Sequence, residues 1–252
     1  MTKNHAITVR NLTLGDGSPK ICVPITARNP EELREQLVKV REVPCDMAEL
    51  RADYYDGDPI EELAALRGQM PDMPILFTFR TKEEGGEREI SLEEYASLNR
   101  RAAGDATTAA AADFIDLEYN RGEGFLRELC RELQEKDVKV IASFHDFNQT
   151  PDPDTLVRLL CRMQELGADV TKAAVMPCNE RDVLKLLQAA VEMKEKYADR
   201  PYIVMSMGRL GGVSRLAGTL TGSAVTFAAA AASSAPGQMD ADLVAQVLSV
   251  LK

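Results

Sequence analysis

Residues 138–176 read VKVIASFHDFNQTPDPDTLVRLLCRMQELGADVTKAAVM, and this stretch decides the fold. Two short apolar, β-branched runs, 138–145 and 170–176, flank a segment whose apolar residues recur at helical spacing and which stops at Gly167. Strand, helix, strand over this length is a parallel crossover unit. The same alternation continues in both directions. Strand-like runs lie at KICVPIT (20–26), MAELRAD (47–53), PILFTFR (74–80), FIDLEYN (114–120), YIVMSMG (202–208) and AVTFAAA (224–230), with amphipathic segments between them such as Phe125, Leu126, Leu129, Cys130 and Leu133. Eight strand–helix units in 252 residues is the count of an α/β chain folded as a (β/α)8 TIM barrel. An open doubly wound sheet is the alternative. The number of units, and the lack of a GxGxxG after the first run, weigh against it.

Start signals agree with this division. Asn29-Pro30-x-Glu32 and Asp58-Pro59-x-Glu61 each place a capping residue, a proline at the first helical position and an acid in the first turn. Ser91-x-x-Glu94 is a capping-box pattern, Asn179 and Asp240 suit the sixth and eighth helices, and Gly104 sits at a helix stop. Before the first unit, AITVRNLTLGDGSP (6–19) alternates and ends in turn-forming residues, which predicts a short β-hairpin closing one end of the barrel. No linker or low-complexity segment interrupts the pattern, so a single catalytic domain over 1–252 is expected.

Lys+Arg 30 against Asp+Glu 40 leaves a net charge of −10, which argues against nucleic acid or an anionic membrane as partner. An anionic ligand would need basic groups gathered locally against that field. Hydrophobic residues at 45% and charged ones at 28% exclude a disordered chain. The five cysteines, at 22, 45, 130, 161 and 178, are odd in number and scattered. They read as reduced thiols of a cytoplasmic protein and not as a zinc ribbon or disulfide scaffold. MTKNHAITVR has no apolar signal core, and no apolar run nears the length of a membrane span.

In a barrel, alternate strand residues face inward and the chemistry collects at the carboxyl ends of the strands. Period two puts Glu49, Arg51 and Asp53 on one face of the second strand, Thr78 with Arg80 on the third and Asp116 with Glu118 on the fourth. It puts Ser143 with His145 on the fifth strand, and Val170, Lys172 and Ala174 together on the sixth. Charge recurs on a face that a plain barrel fills with Val, Ile and Leu. Lys172 is either a lysine at a strand start that reaches out to solvent or a partly desolvated amine able to attack a ketone. His145, one of two histidines (the other is His5), is either a satisfied core residue or a general acid–base. Asp146 should point to the opposite face, so a carboxylate that orients the imidazole must come from elsewhere. KEEGGE (82–87) combines carboxylates with paired glycines and by itself reads as an exposed acidic turn; SSAPGQ (233–238) suits a plain loop or an active-site lid. GRLGGVS (208–214) could form a phosphate site, on weak grounds.

In their order along the chain, FTFRTKEEGGE, FHDF, TKAAVMP, MSMG…SRLAG and SSAPGQ closely resemble the type I 3-dehydroquinate dehydratases, and the similarity runs from KICVPI to the final helix. The resemblance implies a homodimeric TIM barrel with neither cofactor nor metal. It implies the third step of the shikimate pathway, dehydration of 3-dehydroquinate to 3-dehydroshikimate through a lysine imine. On this resemblance Lys172 is the Schiff-base lysine, His145 the general acid–base and Glu84 the glutamate paired with it. Arg215 grips the substrate carboxylate, helped by Ser234 and Gln238 from the lid, while Glu49, Arg51 and Arg80 contact the hydroxyls and hold the ring. One departure is Pro24, where some relatives carry serine. A class I aldolase-type barrel and a non-catalytic barrel binding a small anion are the competing readings. The second leaves an interior lysine and histidine unexplained.

Overall fold

The computed structural model describes residues 6–104, 111–230 and 234–251; His5 and Ser233 lie outside them. β1 (Ile7–Val9) and β2 (Leu12–Leu14) form the expected antiparallel hairpin, with Val9 opposite Leu12. Its reversal falls at Arg10-Asn11, with Arg10 at φ 53°, and the Gly15–Ser18 stretch is the link into the barrel.

Eight parallel strands follow: β3 (Lys20–Ile25), β4 (Met47–Arg51), β5 (Ile75–Thr78), β6 (Phe114–Glu118), β7 (Lys139–Asp146), β8 (Val170–Val175), β9 (Tyr202–Ser206) and β10 (Val225–Ala229). From β3 to β9 each pairs with the next in sequence, and β10 pairs back onto β3. The ring closes between β9 and β10 through a Tyr202–Ser223 bridge, with Ala224 N–H donating to Tyr202 O at 2.8 Å. A short β11 (Met239–Asp240) adds to the carboxyl end of β10, so the segment between them is tied to the sheet at both ends.

The helices are α1 (Pro30–Glu42), α2 (Pro59–Gln69), α3 (Leu92–Ala102), α4 (Glu123–Gln134), α5 (Pro153–Glu165), α6 (Glu180–Glu192), α7 (Gly212–Leu216), α8 (Gly218–Thr221) and α9 (Ala241–Val250). They begin where the capping residues stand. Asn29, Asp58, Asn179 and Asp240 accept backbone N–H bonds, and Ser91 with Glu94 makes the reciprocal box. The seventh unit departs from the pattern: its helix is the two short pieces α7 and α8, in a stretch whose glycines weaken helical propensity. One of them is required by packing: a Cβ on Gly211 would lie 2.2 Å from Ser206 O.

Outward strand residues such as Leu50, Phe77, Ile115, Val140 and Val175 meet the helices in one continuous core. Inside the ring the first inward positions, Cys22, Met47, Leu76, Phe114, Ile141, Val170, Ile203 and Val225, form an apolar base with Leu12 and Leu14 of the hairpin beneath. Arg10 clamps the hairpin there, Nε to Asp113 at 2.6 Å, while Arg67 holds the other Asp113 oxygen at 2.5 Å. Two residues further along β4 to β8 the lumen turns polar, at Glu49, Thr78, Asp116, Ser143 and Lys172. Pro24, which lacks an N–H, sits beyond the last β3–β10 pair (Cys22 with Phe227), so that ladder loses nothing.

Candidate active site

Asp116, in the second inward position of β6, is fully buried, and its carboxylate is the hub of the lumen. It accepts from Lys172 Nζ at 3.2 Å, Arg80 Nη2 at 2.8 Å and Ser143 Oγ at 2.5 Å. Burial opposes its charge, but Arg80, Lys172 and the Ser143 hydroxyl together hold it below the usual carboxylate range. Lys172 is 4% exposed and its amine lies 4.6 Å from the centre of the Phe227 ring. It does not reach out to solvent. Arg80 also donates to Glu118 at 3.0 Å and to Ser143 Oγ at 3.1 Å. Glu118 in turn takes both the N–H and the hydroxyl of Thr81 at 2.8 Å, which fixes the start of the loop after β5.

That loop supplies the carboxylate for His145. KEEGGE divides: Glu83 is 77% exposed, whereas Glu84 is buried, with Oε2 2.8 Å from His145 Nδ1. Gly85 permits the placement, since it lies at φ +84° and a Cβ there would meet the Phe147 ring at 2.4 Å. Asp146 is taken up by the backbone N–H groups of Asn148 and Gln149, away from the imidazole. Burial, and then the charges of Arg80, Lys172 and Arg51, push His145 well below the usual histidine range. Burial pushes Glu84 up to about 8; Arg80, 3.6 Å away, opposes this, while Glu118 and Asp116 reinforce it. Among the described residues no protein group bonds His145 Nε2, which is left as the free nitrogen.

Lys172, His145, Glu84 and Arg80 line one cavity with Glu49, Arg51, Phe147, Met205, Met207, Phe227, Ser234 and Gln238. Glu49 is fixed by Thr78 Oγ1 at 2.9 Å. Arg51 is held bidentate by Asp53, both bonds 2.8 Å, stacks on Tyr54 and donates to Ser234 O at 3.3 Å. Ser234 and Gln238 are bonded to each other through Ser234 N–H to Oε1 (2.8 Å) and Nε2 to Ser234 Oγ (2.9 Å). They roof the cavity.

Arg215 differs from the sequence-based expectation in position. Its guanidinium stands behind the wall formed by Met205 and Phe227, donating to Phe227 O at 3.4 Å and Pro236 O at 3.1 Å. Among the described residues no carboxylate pairs with it, and its Nε is buried without a partner. Burial draws it down to about 10, so it is still a cation at neutral pH. The structure places Lys172, His145, Glu84, Glu49, Arg51, Arg80, Ser234 and Gln238 around one cavity. The sequence reading passed over Met205, Met207 and Phe227, which period two aims inward but which carry no chemical signal. It also passed over Phe147 and Asn120, which stand just past strand ends.

Fold and cavity define a class, a barrel enzyme for a small polar ligand with a lysine amine and a histidine at the carboxyl ends of its strands. The chain belongs to the type I 3-dehydroquinase family, whose pattern matches residues 21–252. It is 46% identical over 253 residues to the 3-dehydroquinate dehydratase of Clostridium kluyveri, covering 97% of each chain. The type I 3-dehydroquinate dehydratase of Clostridium difficile, solved with covalently modified comenic acid, superposes with a TM-score of 0.92 at 44% identity, over 99% of this chain and 98% of that one. The Geobacillus kaustophilus 3-dehydroquinate dehydratase gives 0.90 at 38% identity, over 100% and 98%.

Proposed function

We propose that this chain dehydrates 3-dehydroquinate to 3-dehydroshikimate, a step of the shikimate pathway, through an imine on Lys172. The observation that carries the reading is one buried cavity holding the Lys172 amine and the Glu84-backed His145. That the C. difficile relative was solved with covalently modified comenic acid is in keeping with covalent chemistry.

Lys172 Nζ adds to the ring ketone and expels its oxygen as water, giving a protonated imine that draws electrons from the adjacent carbon. His145 Nε2 takes the proton from that carbon, leaving an enamine. The enamine electrons then expel the hydroxyl one carbon further on, and the imidazolium returns its proton so that it departs as water. Hydrolysis of the conjugated imine frees the enone and the amine. Glu84 holds the imidazole in the tautomer with Nε2 free and supports the charge it gains. Asp116 stands as counter-ion to the nitrogen throughout. Arg51, Arg80 and Glu49 suit ring hydroxyls. Arg215, a cation without an anion, suits the substrate carboxylate once that group displaces the Pro236 carbonyl, with Ser234 and Gln238 closing over it.

The chain acts in this reading as one catalytic domain over 1–252, as a homodimer in the cytoplasm, with its small-molecule substrate and no nucleic-acid or membrane partner. Support comes from the family membership, the net charge and the unbroken run of strand–helix units. Mixing the protein with 3-dehydroquinate and following the ultraviolet absorbance of a conjugated enone tests the activity. A steady rise is expected; its absence with folded protein overturns the assignment.

A further inference from the structure

Asn120 sits on the turn Tyr119–Arg121 that follows β6, exposed and outside the cavity wall, yet its side chain is bound to the site. Its Nδ2 donates to Glu84 Oε1 at 2.9 Å, while the other oxygen of that carboxylate faces His145 Nδ1 at 2.8 Å. The three side chains form a relay of two bonds leading from solvent to the imidazole. The turn that carries Asn120 is pinned on both flanks. Tyr119 Oη donates to Glu123 at 2.9 Å, and Arg121 donates to Ile90 O at 2.8 Å while its guanidinium lies over the Tyr95 ring. The amide is thus held where it meets Glu84.

We propose that Asn120 is a positioning residue that favours the carboxylate form of Glu84 and so lowers the pH at which His145 Nε2 becomes a base. This rests on the reading of Glu84 and His145 as the acid–base pair. The pair loses one proton as a unit. In its acid form a single proton is shared between Oε2 and Nδ1, and Nε2 carries its own hydrogen. In its base form Glu84 is a carboxylate, Nδ1–H donates to it and Nε2 has a free lone pair. An amide N–H donates to a carboxylate oxygen more strongly than to a neutral carboxyl, so the Asn120 bond favours the base form. It acts beside other charges. Arg80 from the end of β5 favours the carboxylate; Asp116 and Glu118 from β6 oppose it. Arg80, Lys172 on β8 and Arg51 on β4 disfavour an imidazolium. Glu83 and Lys82, on the loop itself, are exposed and paired with Arg121 and Glu89.

The test is the pH profile of kcat/KM for Asn120→Ala and Asn120→Asp, with Glu84→Gln and the double variant in parallel. Loss of one such bond is expected to move the acid limb upward by roughly half a unit to one unit in Asn120→Ala, and further in Asn120→Asp, where a second negative charge is added. Rates at neutral pH fall about three- to tenfold and converge on wild type at high pH, with KM unchanged. In the Glu84→Gln background, Asn120→Ala changes nothing more. An acid limb in both Asn120 variants that superimposes on wild type, while Glu84→Gln is impaired, overturns the role of Asn120 alone. A Glu84→Gln enzyme with wild-type kcat and pH profile overturns the acid–base reading and this inference with it.

Discussion

Lys172 occupies a lumen position that barrels ordinarily fill with a branched aliphatic side chain, and it is kept there by Asp116 and by the face of Phe227. Period two along VTKAAVM was enough to place it, and the same arithmetic placed His145. The His145–Glu84 contact was beyond such arithmetic, because the residues are 61 apart and meet through the shape of a loop. Arg215 was legible as a cation near the seventh strand; its seat behind Met205 and Phe227 follows from how α7 packs, which no local pattern encodes. For His145→Ala, substrate is still expected to form the imine on Lys172 while turnover falls about 10²- to 10⁴-fold. Mass spectrometry after reduction, beside the enone assay, checks both halves, and near-normal turnover would remove His145 from the acid–base role. Glu62 carried no sequence signal beyond an acid in a helical first turn, yet in α2 it is buried with both oxygens unpartnered, and burial pushes it up to about 9. A raised native value means that stability is fully present below the ordinary carboxyl range and is lost as pH rises through about 9. Glu62→Gln should remove that slope and stabilise the protein by roughly 2 kcal/mol at pH 7. Urea denaturation at several pH values reads this out, and an unchanged slope would contradict it.

Helices were the most legible elements, because five of their starts carry their own capping chemistry. Asn29, Asp58, Ser91, Asn179 and Asp240 cap in the structure as their spacing indicated. The split of the seventh helix was not legible, since the glycines that break it are required by contacts with β9 and with Pro19. Loops were read only as alternatives, and packing decides between them. The loop after β5 buries one acid and exposes its neighbour because Gly85 sits against Phe147 and Thr81 is fastened to Glu118. Gly85→Ala meets both a positive φ and an aromatic ring, so it is expected to cost roughly 1–3 kcal/mol and to displace Glu84. The expected signature is a lower kcat with Lys172 still open to reductive trapping. Full activity together with an unshifted denaturation midpoint would show that the loop does not depend on this glycine. The roof segment between β10 and β11 is held in a comparable way, with Pro236 O accepting from both Gly208 N–H and Arg215.

Across the whole molecule the barrel separates stability from chemistry along its axis. The hairpin, Arg10, Arg67 and Asp113 close one end over an apolar base, and the polar groups stand at the other, where the loops can vary without unpacking the core. The net charge of −10 sharpens this division: Arg51, Arg80 and Lys172 are drawn together at one mouth of an acidic protein, with Arg215 behind its wall. Eight units and a capping hairpin were visible in the sequence because their periods are local; ring closure through Tyr202 and Ser223 was not, because it joins strands only after the rest has curled. The central claim is the imine on Lys172. It is tested most directly by adding borohydride to the enzyme with 3-dehydroquinate and mapping the mass of each peptide. The expected result is a stable adduct on the peptide bearing Lys172, absent from Lys172→Ala; a wild-type enzyme that turns over without forming any adduct would contradict the mechanism.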